Sequence, residues 1–490
     1  MQPCARKSNG KVLPFPNNLY AQWRLDSGAV SLFHEKGESP PEFLLQAVWQ
    51  HQRLQRDQLR SLDGETVQVL HPGFLSREGG PDFRGAVIQF GHAPPCSGDV
   101  EVDVHATGWS AHGHDRNAAF RTVILHVIWD GDRPARGAPP TLVIRDKLDA
   151  PVGELGLWLN SEPEPCLPES LRGQCCSALG GLSVEKKSQL LRDAAGIRFR
   201  SKAAQLQARA RQVGWEQSLW EGLFRALGYK QNTWPMHCLA EQRGRWLSEA
   251  ISPLELQARL LGIGSLLPSD LTRSRASADG YLRLIWDRWW REREEFRDCI
   301  LPPSLWRFHG QRPANHPHRR VALVAHWLAS AGLIGNIERW CAADVPEGKL
   351  PDSLMKILQV ARDDFWSWHW TLRSARMKKP QPLLGLARVT DLAVNVILPW
   401  VWVRAVEGKN GKMQHAIERR FQAWPPAQDN AVLRLARERL MGGAPRRVFR
   451  SAAEQQGCIQ IGRDFCDRSD AVCRNCRFPR LVQDFAARGS

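Results

Sequence analysis

The stretch Gly98-Asp99-Val100-Glu101-Val102-Asp103-Val104-His105 constrains this chain more than any other. Side chains alternate across a strand, so Val100, Val102 and Val104 share one face and Asp99, Glu101, Asp103 and His105 share the other. Like charges at i, i+2 and i+4 repel, and desolvated carboxylates need protons or a cation to neutralise them. The neighbouring segments are apolar. DFRGAVIQF precedes the stretch, and TVILHVIWD follows it as a continuous run of the kind buried on both faces of a sheet. At a sheet edge such an acidic face is simply solvated, but between two apolar strands it needs a counter-charge. The expectation is a hard divalent cation, Mg or Mn, on carboxylate oxygens. Asp82, at the head of the preceding strand, is placed to join Glu101 as a ligand.

Around this strand the pattern is helix, three strands, short helix, strand. PPEFLLQAVWQHQRLQRDQLRSL carries Phe43, Leu44, Ala47, Val48 and Leu54 at helical spacing, with Pro tolerated at its start. TVQVLHPG reads as a first strand, HAPPCSG as a loop, TGWSAHGHDRNAAF as a loop or short helix, and TLVIRDKL as a last strand. These elements predict an α/β domain over residues 39–150, a mixed sheet with flanking helices. Residues 1–38 read as a lead-in, 151–181 as a linker, 182–445 as a large all-α region and 446–490 as a small cysteine-rich module. A chain of 490 residues is long enough for two or three cores.

Basic side chains number 67 against 51 acidic ones, a net charge of +16, which favours polyanionic partners, nucleic acid first. No run of 18 or more uncharged apolar residues suggests a membrane span, and the start has no apolar export signal. A cytoplasmic protein is expected. Its twelve cysteines are then better read as buried or metal-binding than as disulfides.

The domain resembles the restriction-endonuclease-like PD-(D/E)XK nuclease core, which runs helix, three strands, helix, strand. Pro81-Asp82 stands at the PD position and Glu101-Val102-Asp103 where the family carries E-x-K; Glu42 matches an acid that some members carry on the first helix. Asp103 departs from the lysine, so His105, or His112 and His114, would have to replace it. The resemblance implies metal-dependent phosphodiester hydrolysis, with Asp82 and Glu101 holding the cation. His126 reads instead as a structural core histidine. Taken together, GGPDF, GDVEVDVHATGWSAHGHD, VILHV, RPANHPHRR and the terminal IQIGRDFC with C-x₂-C also resemble a bacterial family, domain of unknown function 2851. That resemblance spans nearly the whole chain and implies no activity.

Two further segments carry chemistry. Arg312, His316, His318, Arg319 and Arg320 gather at the start of a helix, where basic groups and free backbone N–H groups can meet phosphate. Cys466, Cys473 and Cys476 form C-x₆-C-x₂-C, with Cys458 upstream, a set suited to zinc or an iron–sulfur cluster. A fourth ligand distant in sequence is expected, either Cys4 or Cys458. The leading expectation is a metal-dependent nuclease-like protein that acts on or binds nucleic acid. One alternative is a non-catalytic nucleic-acid-binding or scaffold protein with a structural metal. Another is a small-substrate hydrolase using His112, His114 and Asp115.

Overall fold

The computed structural model describes residues 18–26, 39–76, 80–134, 137–159, 173–229, 231–248, 251–271, 280–309, 311–330, 332–442, 448–466, 473 and 476–487. Cys4 and the SEPEPCLPES segment lie outside them.

Helix α1 (Leu19–Asp26) precedes α2 (Glu42–His51), and six strands follow: β1 (Val67–His71), β2 (Phe74–Leu75), β3 (Phe83–Phe90), β4 (Cys96–His105), β5 (Val123–Asp130) and β6 (Thr141–Val143). The short α3 (Gly108–Ala111) lies between β4 and β5. Sheet order is β1-β3-β4-β5-β6, with β2 paired to β3. The pairings β1–β3 and β3–β4 are antiparallel; β4–β5 and β5–β6 are parallel. The acidic strand is therefore central, as its apolar neighbours require. It starts at Cys96, inside the segment expected to be a loop, because Ser97 and Gly98 extend the pairing with Val87 and Ala86. The apolar face packs as expected. Val100 and Val102 are fully buried in a core with Leu44, Leu45, Val48 and Trp49 of α2.

The remainder is helical: α4 (Val152–Trp158), α5 (Cys175–Gly180), α6 (Val184–Val213), α7 (Trp215–Leu227), α8 (Thr233–Glu241) and further helices through Phe478–Ala487. Ser183 caps α6 by accepting from the Lys186 N–H, and Gly214 (φ +86°) ends it. The continuous helix Leu386–Glu407 is long and apolar enough to cross a membrane, but 78% of its most apolar window is buried.

Three expected boundaries are not seen in the packing. The lead-in contributes α1, where Tyr20 is fully buried and donates to Asp464 at 2.7 Å. The linker contributes α4 and α5, with Leu155, Leu157 and Leu179 buried. The cysteine-bearing end shares one apolar core with α1, α5 and α6 and so does not stand apart as a module. A short segment rich in Arg and Asp has too little apolar surface to fold by itself, so it borrows a core.

Candidate metal centre

Alternation along β4 puts Glu101 and Asp103 on one face, both buried despite their charge. The chain turns into α3 directly after β4, and α3 brings the HGHD segment back over that face. Gly108 is required for this close approach, since a Cβ there would sit 2.5 Å from Asp103 Oδ1. Ligand atoms of Glu101, Asp103 and His114 lie within 4.8 Å of one another, the one such trio found among the described residues. His114 stacks on Phe120 at 3.9 Å, and Trp109 stands edge-on to His114 at 5.4 Å. Trp109, Phe120 and Val123 form a small separate apolar cluster there and wall the acidic face from water.

Asp82 joins at the head of β3. Its N–H donates to Glu101 Oε2 at 3.0 Å, and its Oδ2 accepts from the Val102 N–H at 3.1 Å. Gln46 on α2 donates to both Asp82 Oδ1 and Glu42 Oε1, at 2.9 and 3.1 Å. Four acids from three elements thus converge. Burial, reinforced by the charge of Asp82, pushes Glu101 up to about 9. Burial, with Glu42 adding to it, pushes Asp82 up to about 7. Glu42 is also raised, by burial and then by Asp103. Crowded carboxylates with pKa values this high are short of positive charge.

The remaining expected residues divide. His112 is 55% exposed, with Nδ1 3.3 Å from Asp103 Oδ1 at the open edge of the cluster. His105 is exposed beyond the cluster, at the last residue of β4, where it is still in register with Asp130. Asp99 is committed elsewhere, accepting from the Gly85 N–H at 3.0 Å and from Thr122 Oγ1 at 2.6 Å. Asp115 is paired locally with Arg116 at 3.6 Å. His126 is buried as expected, but it is not an isolated core residue: its Nε2 meets Asp103 Oδ2 at 2.9 Å. The parallel register that sets His126 beside Glu101 across β4 and β5 brings it there. Gln46 and His126 were missed as site residues because their signal is this cross-strand and helix-to-strand register, which a linear pattern does not carry.

The basic segment is not a phosphate site as expected. His318, Arg319 and Arg320 are buried at the start of helix Pro317–Ala329, and Arg312 is exposed. Arg319 donates to the carbonyls of Trp366, His369 and Pro382, and Arg320 to that of Leu383 at 2.9 Å. His318 Nε2 meets the Leu266 carbonyl at 2.9 Å, and burial drives its pKa down to about 3. Burial likewise lowers half-buried His316 to about 4. These side chains satisfy the backbone of an irregular segment that has no ladder of its own.

Cys458 is fully buried in helix Ala452–Ile461, its thiol pushed up by burial with Arg437 opposing. Cys466 and Cys476 pack at the edge of the same apolar cluster as Cys175. After burial itself, the nearest influences on the Cys175 thiol are Cys473 and Cys476, followed by Cys176; together they raise it to about 12. Cys175 of GQCC, expected to lie in a linker, is thus brought to the terminal C-x₂-C.

Fold and cluster together define an α/β sheet protein with a helical body and a buried carboxylate–histidine centre. The chain belongs to the family described as protein of unknown function (DUF2851), whose family model matches residues 42–430. No curated protein and no solved structure was found to match it.

Proposed function

We propose that this protein is a metal-dependent phosphodiesterase of the nuclease type, acting on nucleic acid from the Glu42, Asp82, Glu101, Asp103 and His114 cluster. The convergence of these five groups carries the reading. The connectivity supports it as well: a helix, an antiparallel three-strand meander, a short helix and a parallel strand, with Asp82 at the head of the second long strand and Glu101 and Asp103 in the C-terminal half of the third. This is the order expected of the restriction-endonuclease-like core.

The donor set fits a divalent cation. It offers carboxylate oxygens and the buried His114 Nδ1, which has no hydrogen-bond partner. An imidazole among carboxylates favours Mn²⁺ over Mg²⁺. A bound cation would supply charge neutralisation and activation of water. Asp82, Glu101, Asp103 and His114 would hold it. His126 positions the Asp103 carboxylate, and Gln46 positions Asp82 against Glu42. With Asp103 at the usual lysine position, His112 is the exposed base best placed to take a proton at the open edge. The net charge of +16 supports a polyanionic substrate. The test is cleavage of DNA and RNA oligonucleotides by the purified protein with Mn²⁺ or Mg²⁺. Metal-dependent cleavage that disappears in Asp103→Asn is expected. Tight Mn²⁺ binding without cleavage of any nucleic acid would instead favour the scaffold alternative.

For the terminal cysteines we propose a zinc or iron–sulfur centre on Cys466, Cys473 and Cys476, with Cys175 in the distant position rather than Cys458. The proximity of Cys175 to the C-x₂-C pair supports this. Anaerobic purification, metal analysis and visible absorption distinguish the two metals. A Cys175→Ser protein that keeps full metal content would remove Cys175 from the ligand set.

A further inference from the structure

At the far end of α2, roughly 15 Å along the helix from Glu42, a cavity of about 260 Å³ opens between the sheet domain and the helical body. Arg53, Arg56, Lys202, Arg209 and Arg225 line it, against Asp149 and Glu221. Several of these charges are spoken for. Arg56 is held by Glu241 at 2.7 Å, and Arg209 by Glu221 at 2.7 Å. Arg53 Nε meets Asp149 at 2.7 Å, but the buried Arg53 Nη2 has no partner. Lys202 bonds only the amide oxygens of Asn395 and Gln456, and no carboxylate pairs with it among the described residues. Arg225 makes no hydrogen bond there and lies over the Trp234 ring at 5.2 Å.

The cavity therefore carries two basic groups with no contacting carboxylate and one orphaned guanidinium nitrogen. Asp391 acts on Lys202 only from beyond ion-pair distance, and the Glu221 and Glu241 near Arg225 are already held by Arg209 and Arg56. Burial holds Lys202 well below its usual value and Arg225 down to about 10. Protein interiors do not keep such charges unpaired without compensation. Forked guanidinium donors beside an ammonium match the oxygens of a phosphate group. The volume falls just under the range of about 300–1,000 Å³ usual for ligand pockets, enough for a phosphate with at most a small attached group.

We propose that this cavity binds a phosphate group, free or as a phosphomonoester, on Lys202, Arg225 and Arg53 Nη2. The site does not depend on the metal centre and is not part of it.

Thermal unfolding of the full chain in inorganic phosphate, in methyl phosphate and in potassium chloride of matched ionic strength provides the test. Phosphate or the monoester should raise Tm above the chloride control. Protection by the monoester alone identifies a phosphomonoester, and equal protection identifies the bare anion. Lys202→Met and Arg225→Met should each abolish the shift, while the phosphate-free protein keeps or gains stability because an unpaired cation has gone. Equal protection by phosphate and chloride would overturn the proposal. So would an undiminished phosphate shift in both variants. If one variant fails to fold, the other decides, together with direct calorimetric titration of wild type with phosphate.

Discussion

DVEVDVH on β4 and HPHRR at helix Pro317–Ala329 look alike in the sequence, since both are dense in ionisable groups beside apolar runs. In the fold they are opposites. The basic segment is buried and every guanidinium has carbonyl partners, so it holds the chain together. The acidic segment is buried among other acids, with carboxylates whose pKa values burial and mutual repulsion have raised. A dense motif therefore becomes a site or a brace according to its partners. Where guanidinium groups are held by backbone carbonyls, only the Nε atoms of Arg319 and Arg320 are left without a partner. Where like charges are stacked and walled by Trp109 and Phe120, the carboxylates are left short of positive charge.

The largest effect should come from breaking the brace. Arg319→Ala orphans at least three carbonyls at roughly 1–3 kcal/mol each, so a loss of about 3 kcal/mol or more is expected. Urea denaturation measures it. A protein as stable as wild type would mean that water replaces the guanidinium and that the segment is not a brace.

Next in size is Glu101→Gln. It should lower metal-dependent turnover by about a hundredfold or more, through loss of charge stabilisation at the cation. The same change relieves repulsion and should raise Tm in chelator, so activity and stability move in opposite directions. A fall in both would place Glu101 in the brace class instead.

His126→Ala should be milder. Partners of ligands typically contribute about 10–100-fold to metal affinity or activity, and Mn²⁺ titration calorimetry reads the loss. His105→Ala, at an exposed position outside the cluster, should leave affinity unchanged and serves as its control.

A test that needs no substitution is pH dependence. Asp82 and Glu101 have folded-state values, about 7 and about 9, above the ordinary carboxylate range near 4. At these two groups the folded protein therefore binds more protons than the unfolded chain, while the lowered histidines His71, His316 and His318 act in the opposite sense below their ordinary value of 6.5. Stability must fall as pH rises from about 6.5 to about 9. Tm measured in chelator across that window should decline, and saturating Mn²⁺ should flatten the decline. A metal-free Tm that rises with pH would show the cluster to be compensated by groups other than a cation.

The sequence by itself determined the sheet and the acidic face. Strict alternation leaves one register in which Val100 and Val102 are buried, and the apolar run of β5 requires a neighbour on both sides. Asp82, Glu101 and Asp103 were legible for that reason, and so was membership in the family. What only the tertiary structure decided was partnership. His126 meets Asp103 through a parallel register that depends on how far the α3 crossover carries the chain, and His114 rather than His105 completes the cluster because α3 folds back. Arg319 and Arg320 changed role because their carbonyl partners lie some 47 to 63 residues away in sequence. Cys175 was passed over for the same reason, as its neighbours Cys473 and Cys476 come from the other end of the chain. Local pattern sets which face a side chain occupies; what that side chain meets across the core is set by long-range packing, which no short window of sequence contains.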